Sequence, residues 1–413
     1  MKAQKKINIA FIVKGFPTLS QTFIVNQIVA LLKEDHEVDI FAFRKGDLTN
    51  LHPDIAKYHL LDRVTYKEEI PPSKKRRVKD LLLWAKKNFF HIHWRTFLHA
   101  LLSEQYNKKT FLNLFYNSKW FLAGQKYDIV HAHFGDNSIP IAYLKEKGIL
   151  KGVKFVVTFH GYDLTPTLIS YYKHQYKEIF EHADAFTVNT PYTKDLLLKV
   201  KPHLQNINIL PVGLDPFLFQ RENKLKNNFR ILFCGRLIPL KGPFLLLEII
   251  AELKRRGFLD VELEIIGDGE CKGKLKEKVE QMNIEKNVFF SGALDQLEVK
   301  YSMEDASVLL HPGIYDPQTG RAETQGLVIQ EAQAMGLPVV VSDVGGMKYG
   351  LIPGETGFVV KENDISGFAD AIEELILSKE LGEKMGKRGR EFVEKNYDSS
   401  VLVKKLLDLY RTL

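Results

Sequence analysis

The sequence is poor in cysteine and has no long apolar run. Only 2 cysteines occur among 413 residues. They are too few for a disulfide framework, which favours a reducing compartment. No run of about eighteen apolar residues occurs, so we expect no helix to span a membrane. The apolar run after the first lysines is too short for a signal peptide and lacks a small-residue cleavage site. These absences predict a cytoplasmic protein that begins with a buried strand.

The sequence also lacks internal repeats, low-complexity segments and any Asp-x-Asp pair suited to hold a metal ion on phosphates. We therefore expect no metal and no cofactor. Hydrophobic residues make up 45% and charged residues 26% of the chain, as is ordinary for a soluble globular protein. Because 413 residues are too many for one ordinary hydrophobic core, two domains are expected.

Positive charge is concentrated in the segment 73–126, which has twelve Lys or Arg residues against two acids, Asp80 and Glu104. Aromatic residues are interleaved among them. The pattern is typical either of a solvated helix face with its apolar side in the core, or of an amphipathic surface on anionic lipid. Peripheral contact with the inner face of the cytoplasmic membrane therefore stays open. The run KKRRVK resembles a nuclear import tag, but no nucleic-acid-binding signature accompanies it, and we expect no nucleic-acid partner.

Short apolar runs alternate with helical patterns along the chain. The first series starts at INIAFIV and includes YDIVHAHF and VKFVVTFH, and the second starts near Phe229 and includes FRILFCGRL and LPVVVSD. Such alternation predicts doubly wound α/β sheets. A polar stretch, 215–229, separates the two series. We therefore predict Rossmann-like domains at 1–214 and 229–397 that face each other across a cleft, with ligands beyond the carboxyl ends of the strands.

Two glutamates eight positions apart, Glu323 and Glu331, flank the start of a predicted helix. Gly326 and Leu327 would lie at its N-terminus, where unpaired N–H groups and the helix dipole favour a diphosphate. Glu323 would face the cleft and Glu331 would lie about one turn inside the helix, roughly 12 Å away at the helical rise. A nucleotide sugar could then meet both carboxylates, with its sugar near Glu323 and its ribose on Glu331. Acids are also common at helix starts for electrostatic reasons alone.

Two cations follow a predicted strand of the second series. The segment CGRLIPLKG places Arg236 and Lys241 in one loop, between glycines at 235 and 242 that allow close backbone approach. Together they could neutralise a diphosphate leaving group as charge develops on it. Either cation alone would be an ordinary surface residue.

The first half of the chain offers further candidates at strand ends. His160 and Asp163, in TFHGYDL, directly follow a predicted strand and would face the cleft. A histidine in such a loop is often only a hydrogen-bonded structural residue, and both interpretations stay open. Gly15 lies in the first predicted strand-to-helix loop, where it could let the backbone approach a ligand. His131 and His133, in DIVHAHFG, are interpreted as structural.

Five segments together resemble the retaining glycosyltransferases of family 4, which have the GT-B fold: ETQGLVIQEAQAMGLPVVVSDVGG, GRLIPLKG, IIGDGE, TFHGYDL and FPTLSQTFIVNQIVALL. The likeness runs from Ile7 to about Val360. The first loop and HPGIYDPQTGRAE most resemble the bacterial branch that builds exopolysaccharide and lipopolysaccharide. The resemblance implies transfer of a sugar from a nucleotide-diphosphate sugar, such as a UDP- or GDP-sugar, to a hydroxyl of a lipid-linked or growing polysaccharide acceptor. It also implies that the last helix, about 398–413, crosses back to the first domain.

The resemblance implies roles for single residues when these are carried over by position. Arg236 and Lys241 would bind the donor diphosphate, and Glu331 would bind the ribose. The catalytic candidates are Glu323, which would contact the transferred sugar, and His160, which would contact the sugar or the phosphate from the opposite domain. The other predicted substrate-binding residues are Gly15, Phe16, Asp163, Thr324, Gln325, Gly326 and Leu327.

The chain departs from the family pattern at several positions. Thr324 replaces a usual glycine, Gln21 a typical glutamate and Val212 a common asparagine, and residues 347–349 replace a common Ile-Pro-Glu. The identities of sugar and acceptor therefore stay open. Two other functions also stay open: a sugar-nucleotide epimerase or hydrolase of the same fold, which would consume donor without acceptor, and an inactive sugar-nucleotide-binding protein, which would bind without turnover.

Overall fold

Two parallel β-sheets organise the protein. The computed structural model describes residues 5–18, 21–48, 51–102, 108–221 and 228–413. The first sheet is built from seven strands: β1 (Asn8–Phe16), β2 (Glu37–Lys45), β3 (Val64–Tyr66), β4 (Ile129–His133), β5 (Lys154–Phe159), β6 (Ala185–Val188) and β7 (Ile207–Ile209). Their order across the sheet is β3-β2-β1-β4-β5-β6-β7, the arrangement of a doubly wound fold.

Helices cover both faces of the first sheet. Along β1, Ile9 and Phe11 belong to one buried hydrophobic cluster, whereas Ala10 and Ile12 belong to the cluster on the opposite face. Because both faces are buried, the strands are continuous apolar runs rather than alternating ones. The helices between these strands are α1 (Thr22–Lys33), α2 (Pro53–Lys57), α3 (Lys74–Asn88), α4 (Trp94–Leu102), α5 (Lys108–Leu122), α6 (Gly135–Glu146), α7 (Ile169–Gln175), α8 (Lys177–His182) and α9 (Pro191–Val200).

The second sheet repeats the plan with six strands in the order β10-β9-β8-β11-β12-β13. The sheet again separates two buried clusters. The strands are β8 (Arg230–Cys234), β9 (Glu262–Ile266), β10 (Val288–Gly292), β11 (Val308–His311), β12 (Val339–Ser342) and β13 (Gly357–Val360). The accompanying helices are α10 (Pro243–Arg255), α11 (Lys272–Gln281), α12 (Gln296–Asp305), α13 (Leu327–Ala334), α14 (Ile365–Leu377) and α15 (Lys379–Asn396). Two Rossmann-like units, as predicted, are therefore confirmed.

The last helix, α16 (Ser399–Thr412), returns to the first sheet. Asp398 caps its first turn by accepting a hydrogen bond from the N–H of Ser400. Two backbone hydrogen bonds hold the chain where it crosses. The N–H of Leu214 donates to the carbonyl oxygen of Tyr397 at 3.0 Å, and the N–H of Ser399 donates to the carbonyl oxygen of Leu214 at 2.9 Å. One side of α16 then lies in the hydrophobic cluster that also contains α1 and β1. The returning helix implied by the family resemblance is confirmed.

The two sheets lie on either side of the predicted linker 215–229, of which 222–227 falls outside the described residues. The domain limits 1–214 and 229–397 stay a prediction. Among the described residues, no helix is both long and apolar enough to cross a membrane.

Candidate active site

The helix predicted around the two glutamates is α13. It starts directly after Gly326, which has a left-handed φ of 75°, and Gly336, with a φ of 73°, follows its end. In its first turn the N–H of Ile329 donates to the carbonyl oxygen of Gly326 at 2.9 Å, while the N–H groups of Gly326 and Leu327 precede any helical acceptor, as an anion site requires. Glu331 lies in this helix, but Glu323 lies in the segment before it. The separation of roughly 12 Å was calculated for continuous helix, which the structure does not have between these residues, so that distance stays a prediction.

Glu323 is paired with Lys241 rather than facing the cleft alone. Their side chains form a mostly buried ion pair. Lys241 ends a short 3₁₀ turn after β8, and the next residue, Gly242, has a φ of 65°. A Cβ at Gly242 would lie 1.8 Å from the carbonyl oxygen of Pro312, so only glycine lets the loops after β8 and β11 meet. This contact is what brings Lys241 to Glu323.

The ion pair fixes the charge of Glu323. Burial by itself would raise the pKa of this carboxyl group, but the charge of Lys241, with His311 and Arg236, lowers the pKa to about 2. Glu323 is thus ionised at neutral pH, and its charge is balanced by Lys241. A diphosphate beside this pair would meet a lysine that is already bonded to a carboxylate, and Arg236 adds a second positive charge, so the two cations outnumber the one carboxylate.

Glu331 has the opposite electrostatic state. Burial raises the pKa of its carboxyl group to about 7, and among the described residues no opposing charge lowers it. The side chain is only partly exposed to solvent. Near neutral pH it can therefore be protonated or ionised, and either form can hydrogen-bond the hydroxyls of a ribose.

A cavity of about 130 Å³ lies between the two sheets. Arg236, whose side chain is exposed, lines it together with Glu323 and Thr324. From the first sheet, His160 and Tyr192 line the same cavity. The structure thus brings predicted residues from both halves of the chain to one cleft. Their roles in binding or catalysis stay predictions.

His160 follows β5 and is held by aromatic neighbours. Its ring lies 4.7 Å from the ring of Phe23 and 4.6 Å from that of Phe134, centroid to centroid. Its Nε2 is 3.1 Å from Nδ1 of His133. Burial lowers the pKa of His160 to about 3, so the ring is neutral at physiological pH. His160 can therefore offer a hydrogen bond to a ligand but not a positive charge.

Three predicted ligand-binding residues have structural surroundings instead. Asp163 is buried, and its carboxylate accepts hydrogen bonds from the N–H groups of Gly135, His160 and Gly161 at 2.8–3.1 Å. It shapes the loop that carries His160. Gly15 lies within β1, paired with Arg44, and not in the loop after it as predicted. The Phe16 side chain is buried in the hydrophobic core.

Thr324 and Gln325 join the two halves of the molecule. The Thr324 hydroxyl donates to the carbonyl oxygen of His160 at 2.9 Å and accepts from the side-chain amide of Asn189 at 3.1 Å. The Gln325 side-chain amide accepts from the N–H of Val212 and donates to its carbonyl oxygen, both at 2.8 Å. Two departures from the family pattern, Thr324 and Val212, therefore lie in contacts between the two halves rather than at the diphosphate candidates.

Sequence reasoning missed a contact across the mouth of the cavity. The guanidinium of Arg321 lies 4.2 Å from the centre of the exposed Tyr162 ring, a cation–π contact between the two halves. Both residues line the cavity. The sequence signal that could have identified them is their position: Arg321 stands two residues before Glu323, and Tyr162 stands two residues after His160. Neither residue type is distinctive by itself.

One group of potential metal ligands occurs among the described residues, namely Glu178, Glu181 and His182. These residues lie on α8 and do not line the cavity. The cleft itself presents cations and a paired carboxylate, a set that suits an anionic ligand better than a metal ion.

Comparisons with known proteins cover both halves of the chain. Residues 20–216 match the family model described as Glycosyltransferase Family 4, and residues 215–392 match the model described as Glycosyl transferases group 1. The putative colanic acid biosynthesis glycosyltransferase WcaL of Escherichia coli is 28% identical over 417 residues, covering 98% of this chain and 100% of the relative. The amylovoran biosynthesis glycosyltransferase AmsK of Erwinia amylovora is 26% identical, covering 88% and 89%.

Solved structures share the fold over the whole length. Anabaena Alr3699/HepE in complex with UDP superposes with a TM-score of 0.72 at 16% identity, covering 98% of this chain and 100% of that one. A sucrose-phosphate synthase from Thermosynechococcus elongatus gives a TM-score of 0.69 at 19% identity, covering 98% and 99%.

Proposed function

The chain belongs to the GT-B glycosyltransferases, and from this premise we propose that it transfers a sugar from a nucleoside-diphosphate sugar to a hydroxyl of a lipid-linked or growing polysaccharide, with retention of the donor's anomeric configuration. The relatives named for colanic acid and amylovoran biosynthesis support a role in surface polysaccharide synthesis. Anabaena Alr3699/HepE, which has a similar fold, was crystallised with UDP, and this supports a nucleotide-sugar donor. The observation that carries the proposal is that Arg236, Glu323 and His160 line one cavity, with Lys241 behind it paired to Glu323.

The donor diphosphate is proposed to lie between Arg236 and the first turn of α13. Arg236 supplies an exposed cation, and the N–H groups at Gly326 and Leu327 supply donors aligned with the helix dipole. Lys241 adds positive charge while it holds Glu323. On the leaving group, these donors stabilise the charge that grows as the glycosidic bond breaks. Glu331, farther along α13, binds the ribose hydroxyls.

The transferred sugar is proposed to lie between Glu323 and His160. Because Lys241 balances its charge, Glu323 is suited to accept hydrogen bonds from sugar hydroxyls rather than to attack the anomeric carbon. We therefore favour displacement on one face of the sugar. The acceptor oxygen bonds to the anomeric carbon, the bond to the donor phosphate oxygen breaks, and the acceptor's proton passes to that phosphate oxygen.

The acceptor is proposed to be presented at a membrane surface through α3 and the turn that follows it. Five apolar side chains there are exposed, and Phe90 at 93% is the most exposed of them; the others are Val78, Leu82, Leu83 and Phe89. Exposed lysines surround them, including Lys74, Lys75, Lys86 and Lys87. Apolar groups amid lysines fit anionic lipid, since the apolar groups enter the interface and the cations pair with headgroups.

Vesicle co-sedimentation tests the membrane contact. Wild-type protein should bind phosphatidylglycerol vesicles at low salt and bind phosphatidylcholine vesicles weakly. Phe90→Ser should reduce binding, whereas Phe217→Ser, which replaces a phenylalanine that is 73% exposed elsewhere, should not. Equal binding of both variants and wild type would count against α3 as the contact.

A product assay tests the transferase. A thermal-shift screen of nucleoside-diphosphate sugars first identifies the donor, since a ligand that binds the folded state raises the melting temperature. Release of nucleoside diphosphate is then measured with and without lipid-linked and oligosaccharide acceptors. Release only in the presence of an acceptor supports the proposal. Donor consumption without acceptor would instead indicate an epimerase or hydrolase, and binding without turnover an inactive binding protein.

A further inference from the structure

A column of three histidine rings runs from the C-terminal helix to the cleft. Centroids of His131 and His133 lie 4.6 Å apart, and those of His133 and His160 lie 5.4 Å apart with 15° between the ring planes. At the far end, His131 Nδ1 is 2.6 Å from the hydroxyl of Tyr410 on α16, and its Nε2 is 2.6 Å from Oγ1 of Thr158. His131 and His133 are almost fully buried. Each ring of the column thus has protein neighbours that fix it, and in the described part of the chain only the ligand side of His160 is left without one.

The three rings are neutral at physiological pH. Burial lowers the pKa of His131 and of His160 to about 3, and lowers that of His133 well below its ordinary range. A neutral imidazole has one N–H donor and one acceptor nitrogen, and the hydrogen bond made by one nitrogen decides which of them carries the proton. The bond between His133 Nδ1 and His160 Nε2 therefore couples the tautomers of the two rings.

The surroundings of His133 favour one of the two tautomer pairs. Its Nε2 is buried and has no protein partner among the described residues. If His160 donated to His133, the proton of His133 would lie on this Nε2 as an unpaired N–H. If His133 donates from Nδ1, only the lone pair of its Nε2 is left without a partner. A buried N–H without an acceptor is rarer in proteins than a buried acceptor without a donor. The second arrangement is therefore favoured, and it places the proton of His160 on Nδ1.

We infer that His133 is a positioning residue, which donates from Nδ1 to His160 Nε2 and so holds His160 as the Nδ1–H tautomer, with that N–H as the donor for the ligand. The inference rests on the proposed function only for its ligand, a sugar hydroxyl or phosphate oxygen. His160 Nε2 is already bonded, so Nδ1 is the ring nitrogen left for a ligand. His131 and Tyr410 support the column from behind, which gives the returning α16 a connection to the cleft.

The tautomers can be measured by ¹⁵N NMR without any assay of activity. The full-length protein, labelled with ¹⁵N-histidine, gives two-bond ¹H–¹⁵N correlations for its 13 histidines, and loss of one set in His160→Gln assigns His160. Wild type should show His160 neutral with the proton on Nδ1. In His133→Leu, which removes the donor, the Nε2–H form should appear. His133→Asn keeps an amide donor near the position of Nδ1 and should retain more of the Nδ1–H form than His133→Leu.

His36→Leu is the matched control. His36 is also buried, and its Nδ1 accepts the N–H of Ile7 at 3.1 Å while its Nε2 has no protein partner among the described residues. It makes no ring contact with His160. His36→Leu should therefore lower stability as much as His133→Leu, but leave the His160 tautomer unchanged.

Kinetics of the same variants give a second readout. His133→Leu should lower kcat about tenfold, the smaller end of effects seen when the partner of a functional histidine is removed, with little change in the KM for donor. An Nε2–H tautomer of His160 in wild type would overturn the inference, as would equal tautomers and kinetics in His133→Leu and His36→Leu. Since the spectra need no substrate, an absence of transferase activity would count against the proposed function alone.

Discussion

The two sides of the cleft carry polarity in different ways. The side built on the second sheet presents the charged side chains of Arg236, Arg321 and Glu323, and Lys241 is paired with Glu323. The side built on the first sheet presents His160, a neutral ring enclosed by Phe23, Phe134 and His133. One side is therefore suited to attract and hold an anion, and the other to position a ligand by shape and hydrogen bonds.

This difference separates two tasks that one ligand would combine. A nucleoside-diphosphate sugar has an anionic centre and a neutral sugar, and each matches one side of the cleft. Substitutions on the charged side should therefore weaken nucleotide binding, whereas substitutions on the neutral side should spare it and slow transfer. The predictions below test that division.

The largest effect is expected from Lys241→Ala. This change removes positive charge beside the proposed diphosphate site and leaves the buried Glu323 carboxylate without its partner. The transfer rate should fall about 100- to 1,000-fold, as when one group that stabilises developing charge is removed. Initial rates at saturating donor and acceptor measure this effect. In the double variant Lys241→Ala/Glu323→Gln, the losses should be less than additive because the two residues act as a pair.

Lys145→Ala is the control for Lys241→Ala. It breaks a partly buried ion pair with Asp184, of 3.2 Å, whose residues do not line the cavity. It should lower the melting temperature but leave the rate per folded enzyme unchanged. If Lys241→Ala turned over donor like wild type, Lys241 would have no role in transfer.

A smaller loss is expected on the neutral side from His160→Gln. Losing one hydrogen bond to the transferred sugar should lower kcat about 10-fold. Binding of the nucleoside diphosphate should stay close to wild type, because this ring carries no charge at neutral pH. Calorimetry and initial rates measure the two quantities. An equal loss of nucleotide affinity in His160→Gln and Lys241→Ala would break the division between the sides.

Thr324→Gly tests how firmly the two sides are joined. It restores the residue that the family pattern favours and removes the hydroxyl bonds to the His160 carbonyl and to Asn189. The free energy of unfolding should fall by about 1–2 kcal/mol. Thr324→Ser keeps the hydroxyl and should lose less, as measured by denaturant unfolding. Identical stability of the two variants would show that these hydrogen bonds do not hold the sides together.

The smallest effect compares two glutamates on the charged side. Burial raises the pKa of Glu331 from 4.5 to about 7, so folding disfavours its ionised form. That destabilisation is absent below pH 4.5, grows as the pH rises to about 7, and is complete above it. Glu331→Gln should therefore raise the melting temperature at pH 8, by about 2–4 °C, and have little effect near pH 4.5.

Glu323 should respond with the opposite sign. Although burial opposes it, the charge of Lys241 lowers the folded pKa of Glu323 from 4.5 to about 2. Its ionised form therefore adds stability that is present above pH 4.5 and is lost as the pH falls towards 2. Glu323→Gln should thus lower the melting temperature at pH 8. Shifts of the same sign in the two variants would contradict the assigned charge states.

The sequence pattern was sufficient for the fold because that pattern has local causes. Continuous apolar runs such as those around Ile9 and Leu232 indicate strands buried on both faces, and both lie in parallel sheets. The start of α13 was predictable since Gly326 adopts a conformation that other residues rarely reach. These features depend on neighbours in the sequence.

The site was less predictable, since its contacts join distant segments. Lys241 and Glu323 are 82 positions apart. They can pair because Gly242, which has no Cβ, lets its loop approach the carbonyl of Pro312. Asp163 follows a strand, as a ligand-binding residue would, yet the adjacent backbone N–H groups bind its carboxylate. The position of a residue at a strand end does not state where its side chain points.

Titration of UDP and GDP into wild type, Arg236→Gln and His160→Gln by calorimetry tests the charged donor side most directly. For whichever nucleotide binds wild type, Arg236→Gln should weaken the affinity at least about tenfold, since a hydrogen bond to a charged group is lost. His160→Gln should bind that nucleotide like wild type. Equal affinities of wild type and Arg236→Gln would contradict a donor diphosphate held on this side of the cleft.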